Sequence, residues 1–286
     1  MALVTRRRVL TGLGATAAAV LAPPAGSAFA AGRRHGPHPL WRAHAHNDYE
    51  HPRPLLDALD HRFGSVEADI FLVDGELLVA HSADRLDPAR TLDSLYLAPL
   101  AARVRAGHGS VYPGYRQPLQ LLIDIKTEGA STYLELDRRL GRYKGLFTTY
   151  AHGRVRSGAV TAVVSGDRAA RAPMEAQTVR RAFYDGRLAD LGTSQASFAS
   201  LISDNWTLNF TWSGIGAFPE AERQKLRTIV RTAHARGQRL RFWATPDLAG
   251  PARDALWAEL LDAGVDHLNT DDLAGLEAFL DARRTA

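Results

Sequence analysis

At 286 residues, with 45% hydrophobic and 23% charged side chains, the chain has the composition of an ordinary folded protein, and its length suits one large domain or two. A formal net charge of +4 without any stripe of Lys and Arg interleaved with aromatics argues against nucleic-acid binding, and nothing points to disorder or a polytopic membrane protein. The lack of cysteine removes disulfides, thiolate zinc sites and cysteine nucleophiles together.

Residues 1–30 read as a leader rather than part of the fold. A basic start at Arg6, Arg7 and Arg8 precedes an apolar run from Val9 to Ala22, and Ala28-Phe29-Ala30 fits an A-x-A cleavage site with cutting after Ala30. The apolar run is too short to cross about 30 Å of hydrocarbon. Thr5 through Leu10 matches the twin-arginine pattern, so a secreted, extracellular protein exported in the folded state is expected. Without this segment the net charge falls to +1. Residues 31–39, "AGRRHGPHP", read as a flexible lead-in, and residues 40–286 as one domain.

Along that domain, short apolar runs alternate with helical stretches. "LWRAHAH" (40–46) is predicted as a strand, followed by a helix carrying Leu55, Leu56, Ala58 and Leu59. "GSVEADIFL" (64–72) and "GELLVAH" (75–81) follow, then "LQLLIDIK" (119–126), the clearest buried strand, with "TYLELDRRLGRY" as its helix. "AVTAVVSG" (159–166), "TVRRAFYDG" (178–186) and "FASLISDNW" (198–206) come next. An amphipathic helix in "PEAERQKLRTIVRTAHARG" leads to "RLRFWATP" (239–246), a helix through Leu260 and Leu261, "VDHLNTDD" (265–272) and a last helix. About eight strands separated by helices predict a parallel sheet with crossovers, and over some 250 residues a (β/α)₈ TIM barrel. A doubly wound open sheet competes, but no glycine-rich dinucleotide loop follows the first strand.

Several strand ends carry polar pairs two residues apart: His44/His46, Glu67/Asp69, Asp124/Lys126, Trp243/Thr245 and Asn269/Asp271. Residues i and i+2 of a strand share a face, so each pair should project into the barrel mouth, where catalytic groups of such barrels stand. Carboxylates inside "SVEADIFL" and "LLIDIK" need partners, either a metal or basic side chains; a structural salt-bridge cluster is the alternative. Glu67, Asp69 and Asp124 with the side-chain carbonyl of Asn47 make an all-oxygen set suited to Mg²⁺ or Ca²⁺. His46 and His81 would flank that cation as base and acid.

The ordered set "HNDY…VEADIFLVDGELLVAHS…LLIDIKT" resembles the phospholipase-C-like phosphodiesterase superfamily, which includes glycerophosphodiester phosphodiesterases, phosphatidylinositol-specific phospholipases C and sphingomyelinase-D-like enzymes. His46-Asn47-Asp48-Tyr49 is similar to the His-Asn-x-Tyr of the phosphoinositide enzymes, Glu67-Ala68-Asp69 to their Glu-x-Asp, and Asp124-Ile125-Lys126-Thr127 to the Asp-x-Lys-Thr of the sphingomyelinase-D-like group. The doubled His-x-His-Asn-Asp-Tyr resembles an exported bacterial branch related to a fungal mitochondrial-inheritance protein. The chain lacks the His-Arg-Gly of glycerophosphodiesterases, and Ser82 follows His81 where they carry Asp. The resemblance implies a metal-dependent phosphoric diester hydrolase acting on a glycerophosphodiester or phospholipid head group. In it His46 takes a proton, His81 protonates the leaving alcohol, Lys126 meets non-bridging oxygens and Trp243 lines the pocket. By its spacing to Asn47, His44 competes with His46 as the base. Two other readings stay open. One is an amidohydrolase-type metallohydrolase using His-x-His and Asp271, which would also want histidines on the middle strands; His152 and His234 fall in a loop and on a helix. The other is a non-catalytic barrel that binds phospholipid or polymer. A transient membrane contact is expected if the Trp206–Trp212 loop is exposed. The sequence sets no oligomeric state.

Overall fold

The computed structural model describes residues 38–284; the leader and most of the lead-in lie outside them. Eight parallel strands form the sheet: β1 (Leu40–Ala45), β2 (Phe63–Val73), β3 (Leu119–Ile125), β4 (Val160–Gly166), β5 (Ala182–Gly186), β6 (Leu201–Asn205), β7 (Arg239–Trp243) and β8 (Leu268–Thr270). Their order is β7-β6-β5-β4-β3-β2-β1-β8. The ends of that path meet through a parallel bridge between Arg241 and His267 and a hydrogen bond from His267 N to Leu240 O (3.1 Å), which makes a nearly closed barrel.

Why these residues form staves follows from their two faces. On β2, β3 and β4, Val66, Ala68, Ile70, Leu121, Ile123, Ile125, Ala162 and Val164 belong to the main core, packed with helix residues such as Leu136, Leu226, Val230 and Leu256. Each such Val, Leu or Ile side chain contributes roughly 1.5–3 kcal/mol by leaving water, and each alanine less. The opposite face of the staves looks inward, and its apolar content is small: Leu122 and Val163, with Leu201 of β6, form a separate cluster. Phe183 of β5 shares that face, and most of the remaining interior is polar, including His44, Ser65, Glu67, Gln120, Ser165, Asp185, Ser203 and Arg241, all buried. This barrel keeps its larger hydrophobic layer outside the staves and lines much of the inside with polar side chains.

The crossover helices follow from their own pattern. Glu220–Ala235 buries Leu226, Ile229, Val230 and Ala233, spaced for one face of a 3.6-residue period. Pro251–Ala263 starts with proline in its first turn and stops at Gly264, whose φ of 92° suits a residue without Cβ. Gly129–Leu140 is capped by Glu128, whose carboxylate accepts from the amides of Ala130 and Ser131.

Three local expectations change. "GELLVAH" is no stave: Glu76–Val79 folds back antiparallel on the end of β2. "TVRRAFYDG" divides, so that only Ala182–Gly186 enters the barrel while Val179–Arg180 joins a small outlying antiparallel sheet with Thr149–Ala151 and Arg154–Arg156. The Trp206–Trp212 loop does not offer its indoles to a membrane. Both are buried, stacked with Phe210 and Phe218 respectively, and Leu208 and Ile215 are the exposed apolar residues there.

Candidate functional site

Parallel register brings the paired polar residues to one level. Asp69 lies opposite Asp124, and Asp124 opposite Ser165, while His44 lies opposite Ser65 on one side and Asn269 on the other. One carboxylate oxygen from each of Glu67, Asp69 and Asp124 falls within 4.8 Å of the others. Gly166 at the end of β4 keeps the wall thin there, since a Cβ at that position would stand 2.6 Å from Asp124 Oδ1, and its φ of 81° is one that glycine adopts freely.

Two cations hold this cluster. Lys126 Nζ lies 3.1 Å from Asp69 Oδ2 and 3.0 Å from Asp124 Oδ1. Arg241, reaching across from β7, donates Nη2 to Glu67 Oε2 (3.0 Å) and Nε to Asn269 Oδ1 (2.8 Å). Burial alone would raise the Glu67 carboxyl; the Arg241 charge and the His44 hydrogen bond outweigh it and hold Glu67 well below the usual carboxylate range. Asp69 moves the other way, pushed up by burial and then by the Glu67 charge. Three carboxylates against Lys126 and Arg241 leave one surplus negative charge. Asp69 Oδ1 is buried and without a hydrogen-bond partner among the described residues. An orphaned carboxylate oxygen in an oxygen-only cluster is the donor chemistry a hard divalent cation takes, so the residues present fit Mg²⁺ or Ca²⁺.

The loop after β1 carries the next groups. Asp48 is buried, and its Oδ2 accepts from Leu55 N (2.6 Å) and Tyr96 Oη (2.8 Å), which pins the loop. Asn47 takes a left-handed conformation (φ 47°), tolerated by asparagine better than by most residues. Tyr49 Oη then stands 2.6 Å from Asp69 Oδ2, 2.8 Å from Asn47 Oδ1 and 3.1 Å from His81 Nδ1. A phenol has one hydrogen, so it serves Asp69 or Asn47 at any moment and accepts from His81. His81, at the end of the Glu76–Val79 arm, is otherwise 60% exposed. On the other flank His46 Nδ1 lies 2.8 Å from Asp271 Oδ1, and the Asn47 amide aims at the same carboxylate (3.4 and 3.5 Å).

The structure thus brings together Glu67, Asp69, Asp124, Asn47, Lys126, His46 and His81. It sets His44 apart. That ring is fully enclosed, with Nδ1 2.7 Å from Ser65 Oγ and Nε2 3.2 Å from Glu67 Oε2. Burial, then the Arg241 charge, lowers its pKa to about 4. Both of its nitrogens are engaged and the ring is closed off from solvent, whereas His46 is partly exposed. Lys126 meets carboxylates before any substrate oxygen. Trp243 ends β7 half-buried, its Cα paired with Asn205. Sequence reasoning missed Arg241 as the partner of Glu67, Tyr49 as the link to His81, and Asp271 as the partner of His46. Arg241 had a signal, since a charge at alternate spacing inside "RLRFW" needs a buried acid just as Glu67 needs a base.

Two family models match the chain. A model described as "AIM6-like phosphodiesterase domain" matches residues 38–185, which hold every group above except Arg241, Trp243, Asn269 and Asp271. A second, described as "Glycerophosphoryl diester phosphodiesterase family", matches residues 239–274, which hold those four. The chain is 33% identical over 270 residues to "Altered inheritance of mitochondria protein 6" of Eremothecium gossypii, spanning 84% of this chain and 69% of that protein. It is 28% identical over 264 residues to the homolog in Arthroderma benhamiae, with 82% of each covered. To the Saccharomyces cerevisiae protein it is 26% identical over 279 residues, or 80% of this chain and 68% of the other. These relatives are fungal, so they bear out the resemblance to the mitochondrial-inheritance proteins and carry nothing about an exported bacterial branch. With the first of these models spanning more than half of the chain and the Eremothecium protein a third identical, the chain belongs to the AIM6-like phosphodiesterase domain family.

Proposed function

We propose that this protein hydrolyses phosphoric diesters by paired histidine acid-base catalysis beside a divalent cation. The observation that carries the reading is the convergence of Glu67, Asp69 and Asp124 between two histidines, each steered through Nδ1. Asp271 offers only acceptors and stands 2.8 Å from His46 Nδ1, closer than the Asn47 amide nitrogen at 3.0 Å, which favours a hydrogen on Nδ1 and leaves Nε2 with a lone pair. His46 Nε2 takes the proton of the attacking hydroxyl as the new P–O bond forms. His81, held through Nδ1 by Tyr49 and protonated on Nε2, gives its proton to the departing alcohol as the old P–O bond breaks. Glu67, Asp69 and Asp124, with Asn47 beside them, would hold Mg²⁺ or Ca²⁺, which when bound supplies charge neutralisation for the phosphoryl oxygens. Lys126 keeps the two aspartates from repelling each other and stands 31% exposed at the edge of the cluster.

A glycerophosphodiester or phospholipid head group is the substrate class in this reading. The leader in residues 1–30 supports export, and amino-terminal sequencing of the secreted product should begin at Ala31. The central test is a panel of glycerophosphocholine, a lysophospholipid, phosphatidylinositol and a nitrophenyl diester, assayed with and without chelator. Turnover is expected to need the cation and to fall in His46→Ala and His81→Ala. Turnover that survives both substitutions sinks the acid-base roles; turnover indifferent to chelator and to Glu67→Ala sinks the metal site.

A further inference from the structure

Across the barrel from the two histidines, the ends of β4 and β5 carry groups that the proposed reaction does not use. Asp185, fully buried on β5, accepts on Oδ2 from Ser165 Oγ (2.7 Å), Ser203 Oγ (2.6 Å) and Arg187 Nη1 (2.8 Å). The two serines clamp the carboxylate, and the carboxylate clamps the guanidinium. Arg187 Nη1 also reaches Ser203 Oγ (3.2 Å), and Nη2 lies 3.4 Å from Ser165 Oγ. Ser165 is in register with Asp124 on the neighbouring strand, so this guanidinium, reaching Ser165 from the end of β5, sits near the level of the carboxylate cluster.

Arg168, on the loop after β4, joins it. Its Nη2 donates to the Asp185 carbonyl (2.9 Å), and its guanidinium lies 4.3 Å over the Tyr184 ring. Among the described residues no carboxylate lies within ion-pair distance of Arg168. The other nearby cation, Arg171, is paired with Glu175 and Asp190 (both 2.7 Å). Among the described residues Asp185, on Arg187, is the one acid within ion-pair distance of either guanidinium, with Asp204 and Asp124 acting on Arg187 and Asp190 on Arg168 from further off, and the pair stands at the C-terminal ends of the staves, where ligands of such barrels bind. Asp185 Oδ2 is served by two hydroxyls and Arg187, Oδ1 has no hydrogen-bond partner among the described residues, and Arg168 meets Asp185 through its backbone carbonyl rather than its carboxylate. A phosphodiester bears a single negative charge, which a cation at the carboxylates meets. The Arg168 guanidinium, without an ion-pair partner among the described residues, suits a second, doubly charged group, and with Arg187 it offers two planar guanidiniums that match the oxygens of a phosphate monoester.

We propose that Arg168 and Arg187 form an anion subsite that takes a phosphate-monoester group on the alcohol portion of the substrate; the diester clause rests on the phosphodiesterase reading, the subsite itself does not. The test has two arms. Inorganic phosphate is titrated calorimetrically into the full chain in the presence of chelator, so that only protein groups can bind it. Glycerophosphoglycerol and its terminal phosphate monoester are then compared as substrates with Mg²⁺ or Ca²⁺ present. Arg168→Glu is the main variant, because Arg168 is exposed and its replacement leaves the Asp185 clamp intact. Arg105→Ala, exposed at the end of helix Ala98–Ala106, is the control.

Phosphate should bind the wild type and Arg105→Ala alike and about tenfold or more weaker to Arg168→Glu, and the preference for the phosphorylated diester should shrink by a similar factor. Equal phosphate affinity in the wild type and Arg168→Glu, or none in either, overturns the subsite. An unchanged substrate preference in Arg168→Glu overturns its role in selection. Phosphate binding that responds to Arg168 without turnover of either diester overturns the diester clause alone.

Discussion

Asp271→Asn separates a hydrogen bond that orients from one that merely holds. Asp271 Oδ1 lies 2.8 Å from His46 Nδ1, and the two side chains are 55% and 31% exposed. An ion pair that wet contributes about 1 kcal/mol or less to folding, so the unfolding midpoint should barely move. Activity should move far more. The asparagine amide can turn its NH₂ toward Nδ1, which makes that nitrogen the acceptor and places the hydrogen on Nε2, where the base needs a lone pair. The same swap in a fully buried His–Asp pair costs about 10⁴ in kcat. Here the pair is half-exposed and the Asn47 amide shares the carboxylate, so a loss of roughly 10² to 10³ is expected. The assay is kcat and KM on the fastest diester of the panel, beside urea unfolding of the same preparations. Asp271→Ala, which removes the partner without imposing the wrong tautomer, should lose less than Asp271→Asn. Activity of Asp271→Asn within about threefold of the wild type would refute the tautomer reasoning and the role of His46 with it.

Tyr49→Phe removes the one donor that joins Asp69 to His81, and a buried hydrogen bond to a charged acceptor makes it cost about 1.5–3 kcal/mol in urea unfolding, with kcat falling more than KM rises. Arg241→Met leaves Glu67 buried beside His44 alone and should cost about 3–5 kcal/mol. Adding Glu67→Gln to it should recover part of that loss, and strictly additive costs in the double variant would contradict a direct pair. His267 is buried with neither ring nitrogen hydrogen-bonded among the described residues, and burial followed by the Arg239 charge lowers its pKa well below 6.5. The unfolded chain therefore takes up a proton that the folded chain refuses. Stability is full above about pH 6.5 and should fall on acidification toward the folded pKa, by up to about 1.4 kcal/mol per pH unit from this residue. Urea midpoints at pH 7, 6 and 5 should decline less steeply in His267→Leu; parallel declines would show that another group carries the acid sensitivity.

What could be read in the sequence was whatever repeats with period two. The pairs Glu67/Asp69 and Asp124/Lys126 share a face because strands alternate, and that alone put the carboxylates together. Depth along the strand was not readable in the same way. His44 and His46 share a face too, yet two residues are about 6.6 Å of rise, enough to move one ring into the sealed interior and the other to the mouth. Partners across the barrel were also silent: Glu67 and Arg241 stand 174 positions apart, and only closure of the sheet joins them. The turn at Asp74-Gly75 did carry a signal that was outweighed by the apolar run after it. Both residues have positive φ (50° and 79°), as a tight hairpin requires, so "GELLVAH" turns back rather than crossing over. The segment before β3 has no amphipathic stripe to mark its helix Ala98–Ala106, whose fully buried apolar residue is Leu100.

The closing seam has a consequence of its own. Between β7 and β8 the backbone contributes a single bridge, whereas β3 and β4 are in register over seven residue pairs. Side chains make up the difference, with Arg241 stitched to Asn269 on one neighbour and to Glu67 two staves further round. The guanidinium is a rivet in a hoop that the main chain leaves almost open. Whatever loosens Glu67 therefore slackens the barrel at its thinnest point, and whatever tightens the carboxylates draws it shut. Amide exchange on β8 should then report on what occupies a centre several strands away.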